Sequence, residues 1–213
     1  MKNTFAFNRI FLLRAAAAVL SLLLLQTFSS CKKGEEYVRF ETKTTDYGES
    51  GKTVSNTAKE IILGFYKDGE PKKIAGYELK KLLAYDEIKS LTVANFTGED
   101  LSVIAKIGGV ESLTLMNMER VTDISFLRNM KSLESLVICN LSEDFCDLTP
   151  LASLKNLKSL GIYNIYTEDY SPLFALKSLK RLDLSSSVIA PEQYEMLKTA
   201  LPDCELVNIT ILD

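Results

Sequence analysis

One short line recurs along the second half of this chain, and it limits the possible folds more than any other feature. It reads apolar, two variable residues, Leu, one variable, apolar, one variable, Asn, apolar. The copies are Ile88, Leu91, Val93, Asn95, Phe96; then Val110, Leu113, Leu115, Asn117, Met118; then Leu133, Leu136, Ile138, Asn140, Leu141; then Leu157, Leu160, Ile162, Asn164, Ile165. A fifth copy, Leu179, Leu182 and Leu184, carries Ser186 in place of Asn, and a degenerate sixth runs Leu201, Cys204, Leu206. Successive copies start 22, 23, 24, 22 and 22 residues apart, at positions 88, 110, 133, 157, 179 and 201. Within each line the second and third apolar residues alternate, so they face one way from a short strand. No single copy can bury that face, but stacked copies share a continuous core. The pattern predicts an α/β solenoid with a parallel sheet.

The segments returning from one strand to the next are also alike. They read Asp123 to Leu127, Asp147 to Leu151 and Asp169 to Leu173. The fifth return, Ala190 to Leu201, is longer, and Pro191 suits a first helical position. Together these features resemble a leucine-rich repeat protein, specifically the compact 22-residue bacterial class of internalin-like proteins. The resemblance covers about residues 88–206. It implies a short array with a parallel concave β-sheet, a mostly irregular or 3-10 convex side, a helical C-terminal repeat and an N-terminal cap. The ending Leu201-Pro202-Asp203-Cys204-Glu205-Leu206 resembles a terminal repeat that seals the core. There is one departure. The family usually places Asn three residues after the last strand Leu, whereas Asn95, Asn117, Asn140 and Asn164 lie two residues after it. We read them as an inward ladder that satisfies backbone groups where the chain turns, shifted by one residue.

The N-terminal part is of another kind. Residues 1–30 hold no acid, and their charges are Lys2, Arg9 and Arg14. The apolar run Ala15 to Leu25 is too short to span a bilayer, which takes about 20 apolar residues. A basic start, a short apolar stretch and small residues at Ser29 and Ser30 form an export signal. With Cys31 next, it resembles a bacterial lipoprotein signal, although Phe28 stands where Leu is usual. The resemblance implies lipidation of Cys31 and a body anchored to the membrane through that lipid. The expected organisation is a signal peptide over 1–30 and a lipidated Cys with a flexible tether over 31–57. A cap of hairpin plus helix over 58–86 and the repeat domain over 87–213 follow. In the cap, Ile61 to Tyr66 would pair across an Asp68-Gly69 turn with Lys73 to Ala75, and Tyr77 to Leu83 would form a short helix.

Composition narrows function mainly by exclusion. The 213-residue chain contains no His, which removes the imidazole that Ser-His-Asp and Cys-His catalysis require. A net charge of -3 with no basic patch speaks against nucleic acid, and 46% hydrophobic residues speak against a disordered chain. Acid pairs such as Glu99-Asp100 and Glu143-Asp144 lack calcium-loop spacing and read as solvated turns. Of the remaining thiols, Cys139 is expected on the surface, Cys146 in a return segment and Cys204 in the core, with a Cys139–Cys146 bond left open. No metal, cofactor or enzymatic activity is expected.

Alternation leaves columns of strand residues outside the core. They run Ser90, Ser112, Ser135, Ser159, Arg181; then Thr92, Thr114, Val137, Gly161, Asp183; then Ala94, Met116, Cys139, Tyr163, Ser185. Met116, Val137, Cys139 and Tyr163 adjoin as an apolar patch, with Arg181 and Asp183 beside it and Gly161 as a notch. Such a patch suits an unidentified protein or peptide partner. The expected protein is therefore a monomeric, exported, lipid-anchored binding module of the bacterial envelope. A structural spacer and a periplasmic inhibitor or immunity-type protein are the alternatives.

Overall fold

A computed structural model describes residues 38–39, 60–64, 66–67, 70–71, 73–85, 87–118, 120–141, 146–165 and 167–212. The signal region, Cys31, the Asp68-Gly69 turn, the Glu143-Asp144 pair and Tyr166 lie outside them. In chain order the first elements are β1 (Val38–Arg39), β2 (Glu60–Leu63), β3 (Tyr66–Lys67), β4 (Glu70–Pro71) and helix α1 (Gly76–Lys80). The repeats supply β5 (Ser90–Ala94), β6 (Ser112–Met118), β7 (Ser135–Leu141), β8 (Ser159–Tyr163) and β9 (Arg181–Asp183). The chain continues through β10 (Val188–Ile189), helix α2 (Pro191–Ala200), β11 (Glu205–Val207) and β12 (Thr210–Ile211). Eight of these strands form one parallel sheet in the order β1-β2-β5-β6-β7-β8-β9-β11.

The sheet keeps the register set by the repeat. Leu91 pairs with Leu113, Leu113 with Leu136, Leu136 with Leu160 and Leu160 with Leu182. These residues and the apolar ones two positions on are buried behind the sheet. Opposite them lie 3-10 turns at Ser102–Lys106, Ser125–Asn129, Thr149–Ser153 and Ser171–Ala175. Each turn sends apolar residues such as Ile104, Leu127, Leu151 and Leu173 back into the same core. A return this short suits a 3-10 turn, whose rise is steeper than that of an α-helix. The fifth return has room for α2, with Pro191 at its start and Leu197 buried.

Each turn starts in the same way. Asp100 accepts the backbone N–H of Ser102 at 2.7 Å, Asp123 that of Ser125 at 2.7 Å, Asp147 that of Thr149 at 2.8 Å and Asp169 that of Ser171 at 2.8 Å. These bonds satisfy donors that the turn itself leaves open.

The asparagines act differently from the inward ladder expected of them. Asn95, Asn117, Asn140 and Asn164 all hold positive φ, between 51° and 57°. Asn is among the few non-glycine residues that tolerate this left-handed conformation. Ser186 and Asn208 occupy the same slot in the last two repeats, with φ of 62° and 52°. The amides are joined to one another: Asn117 donates to Asn95 at 3.0 Å, Asn140 to Asn117 at 2.9 Å and Asn164 to Asn140 at 2.9 Å. Among the described residues, the amide reaches a main-chain acceptor at the first position alone, the Gly64 carbonyl. The one-residue shift therefore places the side chain at the bend and links each bend to the next.

The N-terminal region also differs from expectation. Ile61 and Leu63 do not open a hairpin; they pair in parallel with Leu91 and Val93 and add a layer to the core. A hairpin would have left the edge of β5 bare. The hairpin present is the small β3–β4 pair, and Ile74 instead bridges in parallel to Phe96. Val38 and Arg39, within the stretch read as tether, extend the sheet beside β2. Gly64 makes this packing possible. Its φ is 82°, and a Cβ there would sit 1.8 Å from the Ala94 carbonyl oxygen. At the other end, Cys204 is half-buried rather than core, because no further strand follows β11 in the sheet order.

Two predictions follow from the bends and turns. Asn140→Ala should destabilise by about 1–3 kcal/mol, since it strains the bend and unpairs both amide neighbours. Asn140→Gly relieves the strain alone and should lie about 1 kcal/mol closer to the native protein in urea unfolding. The Asp100 carboxyl is held below 3.8, first by the backbone N–H of Ser102, and Asp147 likewise by the Thr149 hydroxyl and N–H. Depressed carboxyls stabilise the fold above 3.8, and that stabilisation is lost as pH falls through the lowered values. Melting temperature should thus begin to drop near pH 4 and keep dropping below it, less steeply in an Asp100→Asn, Asp147→Asn variant.

Candidate interaction face

The sheet surface opposite the core carries the columns that alternation assigns to it. Ser112, Ser135, Ser159, Arg181 and Glu205 pair in sequence across β6, β7, β8, β9 and β11. The middle column is Thr114, Val137, Gly161 and Asp183, and the third is Met116, Cys139 and Tyr163. Met116, Val137 and Tyr163 are half-buried, while Arg181 is exposed. The 3-10 turns stack on one another and on α2, opposite this face.

Burial along the columns departs from the expectation that all these residues are open. Ala94 is buried, and Cys139 is only 6% exposed. Cys139 lies in register between the longer Met116 and Tyr163 side chains of the adjoining strands. Burial pushes its thiol up to about 11. Cys146 is buried in the core, its thiol likewise pushed up to about 11 by burial and then by the Asp147 charge. Cys139, Cys146 and Cys204 are all free thiols. A thiol so protonated is a poor nucleophile, and this column contains no base to activate it.

Gly161 does not leave a notch for a partner. A Cβ at Gly161 would lie 2.6 Å from the Tyr163 hydroxyl and 2.8 Å from its Cζ, so the ring folds back over the glycine. The missing side chain is what lets the tyrosine lie down on the sheet. In that position the phenol is pushed up to about 12, first by burial and then by the Asp183 charge.

Asp183 is buried at 9% exposure rather than open. Its Oδ1 accepts the Ser185 N–H at 3.1 Å and the Ser185 hydroxyl at 2.7 Å. Asn208 donates to its two oxygens at 3.2 and 3.1 Å. Asp183 therefore substitutes for the ladder where Ser186 breaks it. Sequence reasoning missed this partner, although Asn208 stands two residues after Leu206, the ladder position of the sixth copy. Arg181 is turned toward Glu205 at 2.8 Å and lies 3.9 Å from Asp183. The upper, apolar part of the face is thus Met116, Val137 and Tyr163, with an internally paired charge cluster at its C-terminal end.

Parallel strands, 3-10 returns and in-register core leucines define a short leucine-rich repeat solenoid. Solved structures agree on the fold. The chain is similar to an internalin C2 from Listeria monocytogenes, with 25% identity over 63% of this chain and 58% of that one, at a TM-score of 0.52. It is also similar to an internalin F from the same organism, with 20% identity over 72% of this chain and 48% of that one, at a TM-score of 0.50. It therefore spans only about half the length of these internalins. No protein-family model matches the chain, and no curated protein matches it.

Gly161→Ala should lift the Tyr163 ring, because the flexible end of the tyrosine can give way. Its titration, followed by tyrosinate absorbance, should move down from about 12 toward the ordinary value of 10.0 with little loss of stability. In the native protein Cys139 and Cys146 should resist thiol labelling at neutral pH, while half-buried Cys204 reacts first. Rapid labelling of Cys139 would contradict its burial.

Proposed function

We propose that this chain is a non-catalytic, lipid-anchored protein of the bacterial cell envelope that binds another protein or peptide through its concave face. The observation that carries the reading is the strip of Met116, Val137 and Tyr163. These half-buried side chains come from three adjacent strands on the sheet face opposite the core: Met116 and Tyr163 flank Cys139 in one column, and Val137 lies two residues before Cys139 in the next. Tyr and Met are enriched in interface cores, and a solenoid presents such a face as an extended concave surface. The tyrosine is already laid on Gly161, so little side-chain freedom is lost when a partner covers it. Asp183 and Arg181 serve the face by holding its C-terminal end rather than by offering free charges.

Export and anchoring rest on the sequence of residues 1–31. The basic start, the apolar run and Ser29-Ser30-Cys31 support cleavage before Cys31 and acylation of its thiol and new amine. Several acyl chains hold a protein to a membrane far more firmly than one.

Partners captured from envelope extracts by the full chain should be lost on Val137→Asp or Tyr163→Asp, with affinity falling about tenfold or more. Met196→Asp, on the exposed side of α2, should leave capture unchanged. Retention of capture in both face variants would reduce the array to a spacer. Protease treatment of intact cells, with blotting for the repeat domain, then decides between outer surface and periplasm.

A further inference from the structure

The two edges of the solenoid differ in charge. Lys131, Lys155 and Lys177 each follow a repeat's 3-10 turn, eight residues after Asp123, Asp147 and Asp169 respectively. The lysines therefore line the edge where the chain re-enters the sheet, and the aspartates line the edge where it leaves. All three lysines are exposed. Among the described residues, none is ion-paired with an acid. Lys131 donates to the Ser153 carbonyl at 3.3 Å, Lys155 to that of Ala175 at 3.1 Å and Lys177 to that of Ala200 at 2.7 Å. Each acceptor is the last residue of the next repeat's turn or helix, where cations are favoured. The bond uses one of three N–H donors and fixes the ammonium, leaving its charge unneutralised. The neighbouring Lys158 and Lys180 are neutralised by Glu134 and Asp203.

A row of fixed cations, spaced by the stacking of repeats at roughly 5 Å, therefore stands on one edge alone. The aspartates lie beyond a turn of about 10 Å, more than a Debye length at physiological salt. An anionic surface at the lysine edge is thus screened from the carboxylates behind it.

We propose that the lysine edge of the solenoid lies against an anionic phospholipid surface, orienting the repeat domain on the membrane with its aspartate edge outward. The inference rests on the proposed anchor only in that the anchor keeps the domain within reach of a membrane. A regular, uncompensated row matches a plane of phosphate headgroups, each lysine adding attraction near such a surface.

The test is amine acetylation of the full chain, read lysine by lysine by mass spectrometry. It is done with vesicles of pure phosphatidylcholine and with vesicles containing about a third phosphatidylglycerol. With phosphatidylglycerol, Lys131, Lys155 and Lys177 should be modified about fivefold more slowly than with phosphatidylcholine alone. The protection should vanish at about 0.5 M salt, and in the Lys131→Gln, Lys155→Gln, Lys177→Gln variant the chain should lose its preference for phosphatidylglycerol. Equal modification on both vesicle types overturns the inference, as does equal protection by inorganic phosphate without vesicles. Association with pure phosphatidylcholine reports on the anchor separately. If it is absent while phosphatidylglycerol still protects the lysines, the anchor falls and the lysine edge stands.

Discussion

A file of asparagine amides, each hydrogen-bonded to the next, sets the geometry on which the solenoid depends. Asn95, Asn117, Asn140 and Asn164 sit where each strand ends, with positive φ that few side chains accept. The left-handed residue ends the strand, and the amide-to-amide bonds keep successive bends above one another. With the bends aligned, the next apolar residue of each repeat, from Phe96 to Ile165, is delivered into the core at the same depth. The aspartates that start the 3-10 turns repeat this logic on the way back. Side-chain hydrogen bonds thus handle the corners, and burial of leucine handles the interior.

The ladder is also instructive where it fails. Ser186 keeps the positive φ but cannot extend an amide. Asp183, three residues earlier and on the sheet face opposite the core, takes over and receives Asn208. That substitution buries a carboxylate on the sheet face opposite the core. It also draws in Ser185, sets the field felt by Tyr163 and leaves Arg181 to pair with Glu205. A change in the corner of one repeat therefore shapes the character of the face across the neighbouring strands.

The face and the edges divide two tasks. In the proposed reading, Met116, Val137 and Tyr163 offer apolar contact where the sheet is open, whereas the lysine row would give direction to the whole domain. An anchor alone leaves a domain free to tumble, and a tumbling concave face meets a partner in the right attitude only part of the time. A charged edge that prefers the membrane would hold that face sideways to it. The same lysines close the exposed carbonyls of the turns, so the stabilising role and the proposed orienting one would use different N–H groups of a single ammonium.

Much of this protein was legible in the chain because repetition averages out local ambiguity. The strand positions, the core leucines and the register of the face columns follow from a period near 22 and an alternation of two, the 3-10 returns are implied by the family resemblance, and the terminal helix is marked by a longer fifth return with Pro191 at its start. Position in a repeat tells which way a side chain leaves the sheet, since that is a property of the backbone. It does not tell what lies beside it. The burial of Cys139 between Met116 and Tyr163, the collapse of Tyr163 onto Gly161 and the saturation of Asp183 by Ser185 and Asn208 arise between residues of different or adjoining repeats. So does the capture of Ile61 and Leu63 by the edge of β5. The sequence by itself determined the stack, because hydrophobic periodicity acts through the backbone of each repeat alone. Only the tertiary structure decided the surface, because exposure and charge there depend on side-chain lengths in neighbouring strands, brought together when the repeats pack.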